Sequence, residues 1–180
     1  MTSPYQNFPL REYTLSYFAV AATRSDDTWE ATEVDLDGAS DIDEVIDVLR
    51  DANPDAEISL LFVEADDEYL VIVRLDDGDD ARIFGSDAPF ADESRLGGVL
   101  LGDIDTDVRA GIDNTELDTP VTSELDAHPV GEADLLSDLG VSPETLIALC
   151  AKDGMLPTDV TAEVANIIGC GDVLEEVHEA

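Results

Sequence analysis

Apolar positions change their period several times along this chain, and each change marks an element. Leu15 to Ala22 (LSYFAVAA) is a continuous apolar run, too short for a helix, followed by the turn-like Arg24-Ser25-Asp26-Asp27. That pattern predicts a buried strand. Trp29 to Leu36 alternates, with Thr32, Val34 and Leu36 on one face and Glu33 and Asp35 on the other, and should return as the second arm of a hairpin. Ile42, Val45, Ile46 and Leu49 then fall at i, i+3, i+4 and i+7 on one face of a helix. Ser40 with Asp43 can cap its start, and Asn53-Pro54 ends it.

Two more sheet-favouring runs follow, Glu57 to Glu64 (EISLLFVE) and Glu68 to Leu75 (EYLVIVRL), joined by Ala65-Asp66-Asp67. So short a connection makes them an antiparallel hairpin. Asp76 to Asp80 carries Gly78 where a positive φ is convenient, and Ala81 to Gly85 supplies a further strand. The fold class expected is therefore α+β: an antiparallel sheet of about five strands with one packed helix, over Leu15 to Gly102. Met1 to Thr14 is a tail. Asp103 to Gly131, rich in acid, Thr, Pro and Gly, reads as a mobile acidic linker.

Order is expected again in a small helical subdomain from Glu132 to Ala180. Leu135, Leu136 and Leu139 precede Gly140, and Ser142-Pro143-Glu144 starts a helix whose apolar side is Leu146, Ile147, Leu149 and Cys150, stopped by Gly154. Thr158 can cap another helix, with Val160, Val164, Ile167 and Ile168 on one side and Gly169 at its end; a short last helix spans about Val173 to Val177. Fewer than fifty residues in such short helices hardly bury a core alone, so they should dock on the sheet or on a partner.

Charge narrows the function more than composition does. Forty-four acidic residues against 8 basic ones leave a net −36, and a surface so anionic lacks the cations that direct binding of nucleic acid or an anionic membrane needs. Spread over roughly 8,500 Å² of surface, these charges lie on the order of 15 Å apart, beyond the ~8 Å screening length at physiological salt. Self-repulsion is tolerable. The single lysine, Lys152, beside seven arginines fits a halophilic host and a GC-rich genome equally.

The search for catalytic chemistry leaves no constellation. His128 and His178 are isolated and read as surface residues, without the H-x-E and P-C-x-x-C spacing of a zinc deaminase. No phosphate loop or nucleophile elbow occurs. Asp103-Ile104-Asp105-Thr106-Asp107 is the best metal candidate, but Val108 stands where an EF-hand loop needs glycine and Asn114 where it needs glutamate. No catalytic, cofactor-binding or metal-ligating residue is assigned. Cys150 and Cys170 read as buried thiols on neighbouring helices, a disulfide being the alternative, and no secretion signal is recognised near Met1. The expected location is the cytoplasm.

Ser16 to Ala21, the acidic helix, Leu60 to Glu64, Val71 to Arg74, Gly102-Asp103, Asp138 to Val141, Leu149-Cys150 and Asp153 to Pro157 follow one another in an order that resembles the tRNA adenosine deaminase-associated protein family of actinobacteria. The resemblance runs from Ser16 to about Val177, with Leu-Cys and Gly-Met-Leu-Pro its most specific elements. It offers no catalytic residues. The family is named for a gene beside that of a tRNA adenosine deaminase, which implies a shared pathway or a partner. The function expected is a non-enzymatic accessory protein, without cofactors, that binds a protein partner, the deaminase being the candidate, and modulates its stability, assembly or tRNA access. An acidic protein is steered to the basic surface of an RNA-binding enzyme. The alternatives are a carboxylate and divalent-metal enzyme, or an acidic stress or solubility factor with no fixed partner. Cys150, Gly154, Met155, Leu156 and Pro157 are the candidate docking residues, with a helix-turn-helix core as the plainer account of the same positions.

Overall fold

The structure, a computed structural model, describes residues 17–65, 69–86, 95–101, 129–152 and 154–179. The tail, most of the acidic linker, the Asp103 to Asp107 candidate and His128 lie outside the described residues. Strands β1 (Tyr17–Ser25), β2 (Thr28–Glu33), β3 (Ile58–Ala65), β4 (Tyr69–Asp76), β5 (Asp79–Gly85) and β6 (Val130–Gly131) form one antiparallel sheet in the order β2-β1-β3-β4-β5-β6. Helices α1 (Ile42–Ala52) and α2 (Arg95–Leu101) follow β2 and β5. A 3-10 turn at Ser137–Leu139 leads into α3 (Pro143–Ala151), α4 (Pro157–Ile168) and α5 (Gly171–Glu179). The α+β class is as expected, but the sheet has six strands rather than five. Its sixth, inside the segment read as linker, is two residues long and leaves no periodicity to read. A second helix, α2, also joins α1 on the sheet.

Both faces of the sheet are covered. Ala19, Ala21, Leu61, Val63, Val71, Val73 and Leu75 pack with Val45 and Leu49 of α1 and Leu100 and Leu101 of α2. On the opposite face Val20, Ala22, Leu60, Phe62, Leu70, Ile72 and Phe84 form one core with Leu135, Leu136, Leu146, Val160, Val164 and Leu174. The C-terminal helices thus dock on the sheet, making a third layer. This explains the unbroken apolar runs: successive side chains of β3 and β4 point to opposite faces, and both faces are dry.

Local chemistry sets the joints. Asp26 and Asp27 (φ 50° and 65°) and then Asp77 and Gly78 (φ 53° and 75°) supply the positive φ at both central positions of two tight hairpin turns. The α1 cap is Asp41, whose carboxylate accepts from the Glu44 N–H at 3.0 Å. Ser40 sits one residue earlier than a cap and donates its hydroxyl to Glu44 instead. Arg50 in the last turn of α1 donates through Nε to the Gly78 carbonyl at 2.8 Å, holding the helix to the β4–β5 turn. β6 depends on Gly131, whose φ is +88°; a Cβ there would overlap the Ile83 carbonyl oxygen.

Candidate partner-docking surface

Ser142 caps α3 by accepting from the Thr145 N–H at 3.2 Å, with Pro143 at the first helical position as the sequence predicts. The chain then turns: the Lys152 N–H donates to Leu149 O, and the Met155 N–H to Lys152 O at 3.2 Å. Gly154 takes a left-handed φ of +82°. The Leu156 N–H donates to the Asp159 carboxylate at 3.1 Å, so α4 begins at Pro157 and Leu156 occupies its cap. Thr158, expected as the cap, lies inside the first turn and donates its hydroxyl to Glu64 Oε1 of β3 at 2.7 Å. Proline at N1 moved the start of the helix one residue ahead of the threonine.

The five candidate docking residues therefore follow one another from the last turn of α3 (Cys150) through the connection (Gly154, Met155, Leu156) to the first residue of α4 (Pro157), and do not share one role. Pro157 is buried, and Cys150 and Met155 are half-buried against the sheet-facing core. Gly154 and Leu156 face solvent, Leu156 with 43% of its surface exposed. Cys150 and Cys170 are free thiols. Burial pushes each thiol up to about 12, which keeps both protonated and poorly nucleophilic near neutrality. His178 falls in α5. Among the described residues no group of three His, Cys, Asp or Glu side chains is placed to hold a metal ion.

Two further features went unread in the sequence. One is a polar seam under the C-terminal layer. Arg74 on β4 is 3% exposed and grips Asp138 in a fork, Nη1 to Oδ1 at 2.6 Å and Nη2 to Oδ2 at 2.8 Å, while Nη1 also donates to the Leu135 carbonyl and Nε and Nη2 to Asp76. Hydrogen bonding to Asp138 raises the guanidinium further, and that from Arg74 holds the Asp138 carboxyl below the usual carboxylate range. With Thr158 on Glu64, these contacts fix the 3-10 turn and the start of α4 to the sheet. A lone Arg inside the apolar run LVIVRL was the available signal. The other feature is a groove of about 570 Å³ along the outer edge of β2, lined by Trp29 to Glu33, by Val173, Glu176 and Val177 of α5, and by Ala52 and Thr23 on the other side.

A family model matches residues 17–171, from the first residue of β1 to the first of α5. The chain belongs to the Rv3753c-like tRNA adenosine deaminase-associated protein family. No curated protein and no solved structure matches it. The match takes in the turn with Cys150, Gly154, Met155, Leu156 and Pro157, both members of the Arg74–Asp138 fork, and the whole of β2. Among the described residues no helix is long and apolar enough to cross a membrane.

Proposed function

We propose that this protein is a non-enzymatic cytoplasmic accessory factor that binds a tRNA adenosine deaminase and modulates its stability, assembly or tRNA access. The observation that carries the reading is the family match over residues 17–171, a family named for its association with that enzyme. Electrostatics supplies the physical mechanism. A net charge of −36 draws the chain to the cationic surface with which an enzyme engages tRNA, and carboxylates there compete with phosphates. Direct contact with RNA or an anionic membrane is disfavoured by the same charge. The exposure of Gly154 and Leu156 between α3 and α4 supports a docking role for these two of the five candidate residues.

Tagged full-length protein, captured from native lysate with its bound chains identified by mass spectrometry, tests the reading. The deaminase should be enriched over a tag-only control. In a purified mixture, deamination of tRNA should change in apparent affinity or in enzyme half-life, with no deamination by the protein alone. An unaltered enzyme that is never captured would refute the proposal.

A further inference from the structure

β2 is an edge strand whose outer side is open among the described residues, since β1 is its one sheet neighbour. The register tells which backbone groups face outward. Ala22 pairs with Ala31 and Ser25 with Thr28, and the Val34 N–H donates to the Ala19 carbonyl at 2.9 Å. In an antiparallel ladder hydrogen-bonded pairs alternate with non-bonded ones, so the even-numbered residues of β2 bond to β1. Trp29, Ala31 and Glu33 therefore turn their N–H and C=O groups away from the sheet. The groove of about 570 Å³ runs along this same edge. On one side α5 overhangs with Val173 and Val177; on the other lies Ala52, the last residue of α1.

We infer that this edge is a docking slot for an extended, cationic segment of a partner protein, which adds to the sheet as a strand beside β2. Backbone pairing with Trp29, Ala31 and Glu33 supplies register and affinity, and alternate side chains enter the space against Trp29, Val173 and Val177. Charge selects the occupant. Glu30, Glu33 and Glu176 line the slot, and Arg24, whose guanidinium lies 5.7 Å from the Trp29 ring centroid, offsets part of that charge and leaves an acidic excess, so lysines or arginines along the Glu30, Glu33 and Glu176 side are favoured. Pairing of two copies of this chain edge to edge would bring together two bodies of −36 and is opposed by their repulsion. The inference rests on the accessory-protein reading for the kind of occupant and adds to it the surface and the mode of contact.

Trp29 is the single tryptophan, so docking is read directly from its fluorescence. The probe is a nine-residue peptide of alternating Lys and Val, with a Lys/Pro peptide of equal charge that cannot pair as a strand, and a Glu/Val peptide, as controls. The Lys/Val peptide should shift Trp29 emission to shorter wavelength in low salt, and neither control should. Ala31→Pro removes an outward N–H without touching a bond to β1, which an edge strand tolerates, and should weaken the Lys/Val peptide at least about tenfold, a loss of ~1.4 kcal/mol. Ala31→Ser keeps the N–H and should bind as the parent does. Glu33→Lys leaves the backbone intact and should also weaken binding, which keeps the test decisive should Ala31→Pro fail to fold. Equal binding by parent, Ala31→Pro and Glu33→Lys overturns the slot. So does slow hydrogen exchange at the Trp29, Ala31 and Glu33 amides of the free monomer, which would show the edge already occupied by the chain itself, or a doubled mass in solution lost with Ala31→Pro. Purified deaminase separates the two readings. Equal binding to parent and Ala31→Pro removes the slot and leaves the accessory role, whereas peptide docking with no deaminase binding does the reverse.

Discussion

Replacing Asp138 with alanine takes from Arg74 both arms of its carboxylate fork, and the structure sets the size of the loss. A fully buried pair broken on one side costs ~3–5 kcal/mol, and an exposed pair contributes ~0–1 kcal/mol. This one lies between: the Arg74 side chain is 4% exposed and that of Asp138 58%. Asp76 remains within 2.9 Å of the guanidinium, and the Leu135 carbonyl within 2.6 Å, so the charge is not abandoned. A loss of about 2 kcal/mol follows from the hydrogen bonds to a charged group, equivalent to roughly 4–8 °C in Tm for a chain of this length. Urea unfolding followed by circular dichroism reads it, and the two layers should unfold in one transition because the fork joins them. In an Arg74→Met background the same Asp138→Ala change should cost within about 0.5 kcal/mol of nothing. Equal losses in both backgrounds, or a separate early transition for the helices, would refute the seam. Acidity offers a second check. The Asp138 carboxyl titrates lower when folded than its ordinary 3.8, so its contribution is complete above the unfolded value and disappears as pH falls through the folded one. The stability gap between parent and Asp138→Asn should hold steady from about pH 7 to 5 and close below about pH 4.

Gly131→Ala should destabilise by more than ~2 kcal/mol in denaturant titration, because it combines a left-handed φ with overlap at the Ile83 carbonyl; a loss below ~0.5 kcal/mol would mean that β6 is not held as described. Cys150 and Cys170, both raised to about 12 by burial, should react with a disulfide reagent near neutral pH far more slowly in the native protein than in denaturant. Fast native reaction at either would contradict its packing.

Legibility in the sequence followed burial. β1, β3 and β4 are readable because strands covered on both faces are apolar at most positions, with buried Glu64 and Arg74 held by hydrogen-bond partners. The Ile42 to Leu49 stripe marked α1 because that helix has one dry side. By contrast α2 contains Gly97 and Gly98 in seven residues, each costing ~1 kcal/mol of helix propensity, which packing of Leu96, Val99, Leu100 and Leu101 into the core shared with α1 and the sheet offsets. The caps fall one or two residues from the expected ones because the Ser40 and Thr158 hydroxyls donate to the Glu44 and Glu64 carboxylates, leaving the backbone donors to Asp41 and Asp159. The lone Arg in LVIVRL signals a buried cation, but neither its partner nor the β2 slot is legible in the sequence. The fork joins residues 64 apart in sequence, and the slot depends on which side of a strand is left unpaired, a property of the sheet order and not of the strand itself.

The proposed charge-steered binding to a tRNA adenosine deaminase can be measured by calorimetric titration of the purified full-length chain into that enzyme at low and at high salt. A saturable complex should form and weaken at least about tenfold as salt rises from roughly 50 to 500 mM, as expected for opposed charged surfaces. No heat of binding at micromolar concentrations in low salt, or an affinity indifferent to salt, would contradict it.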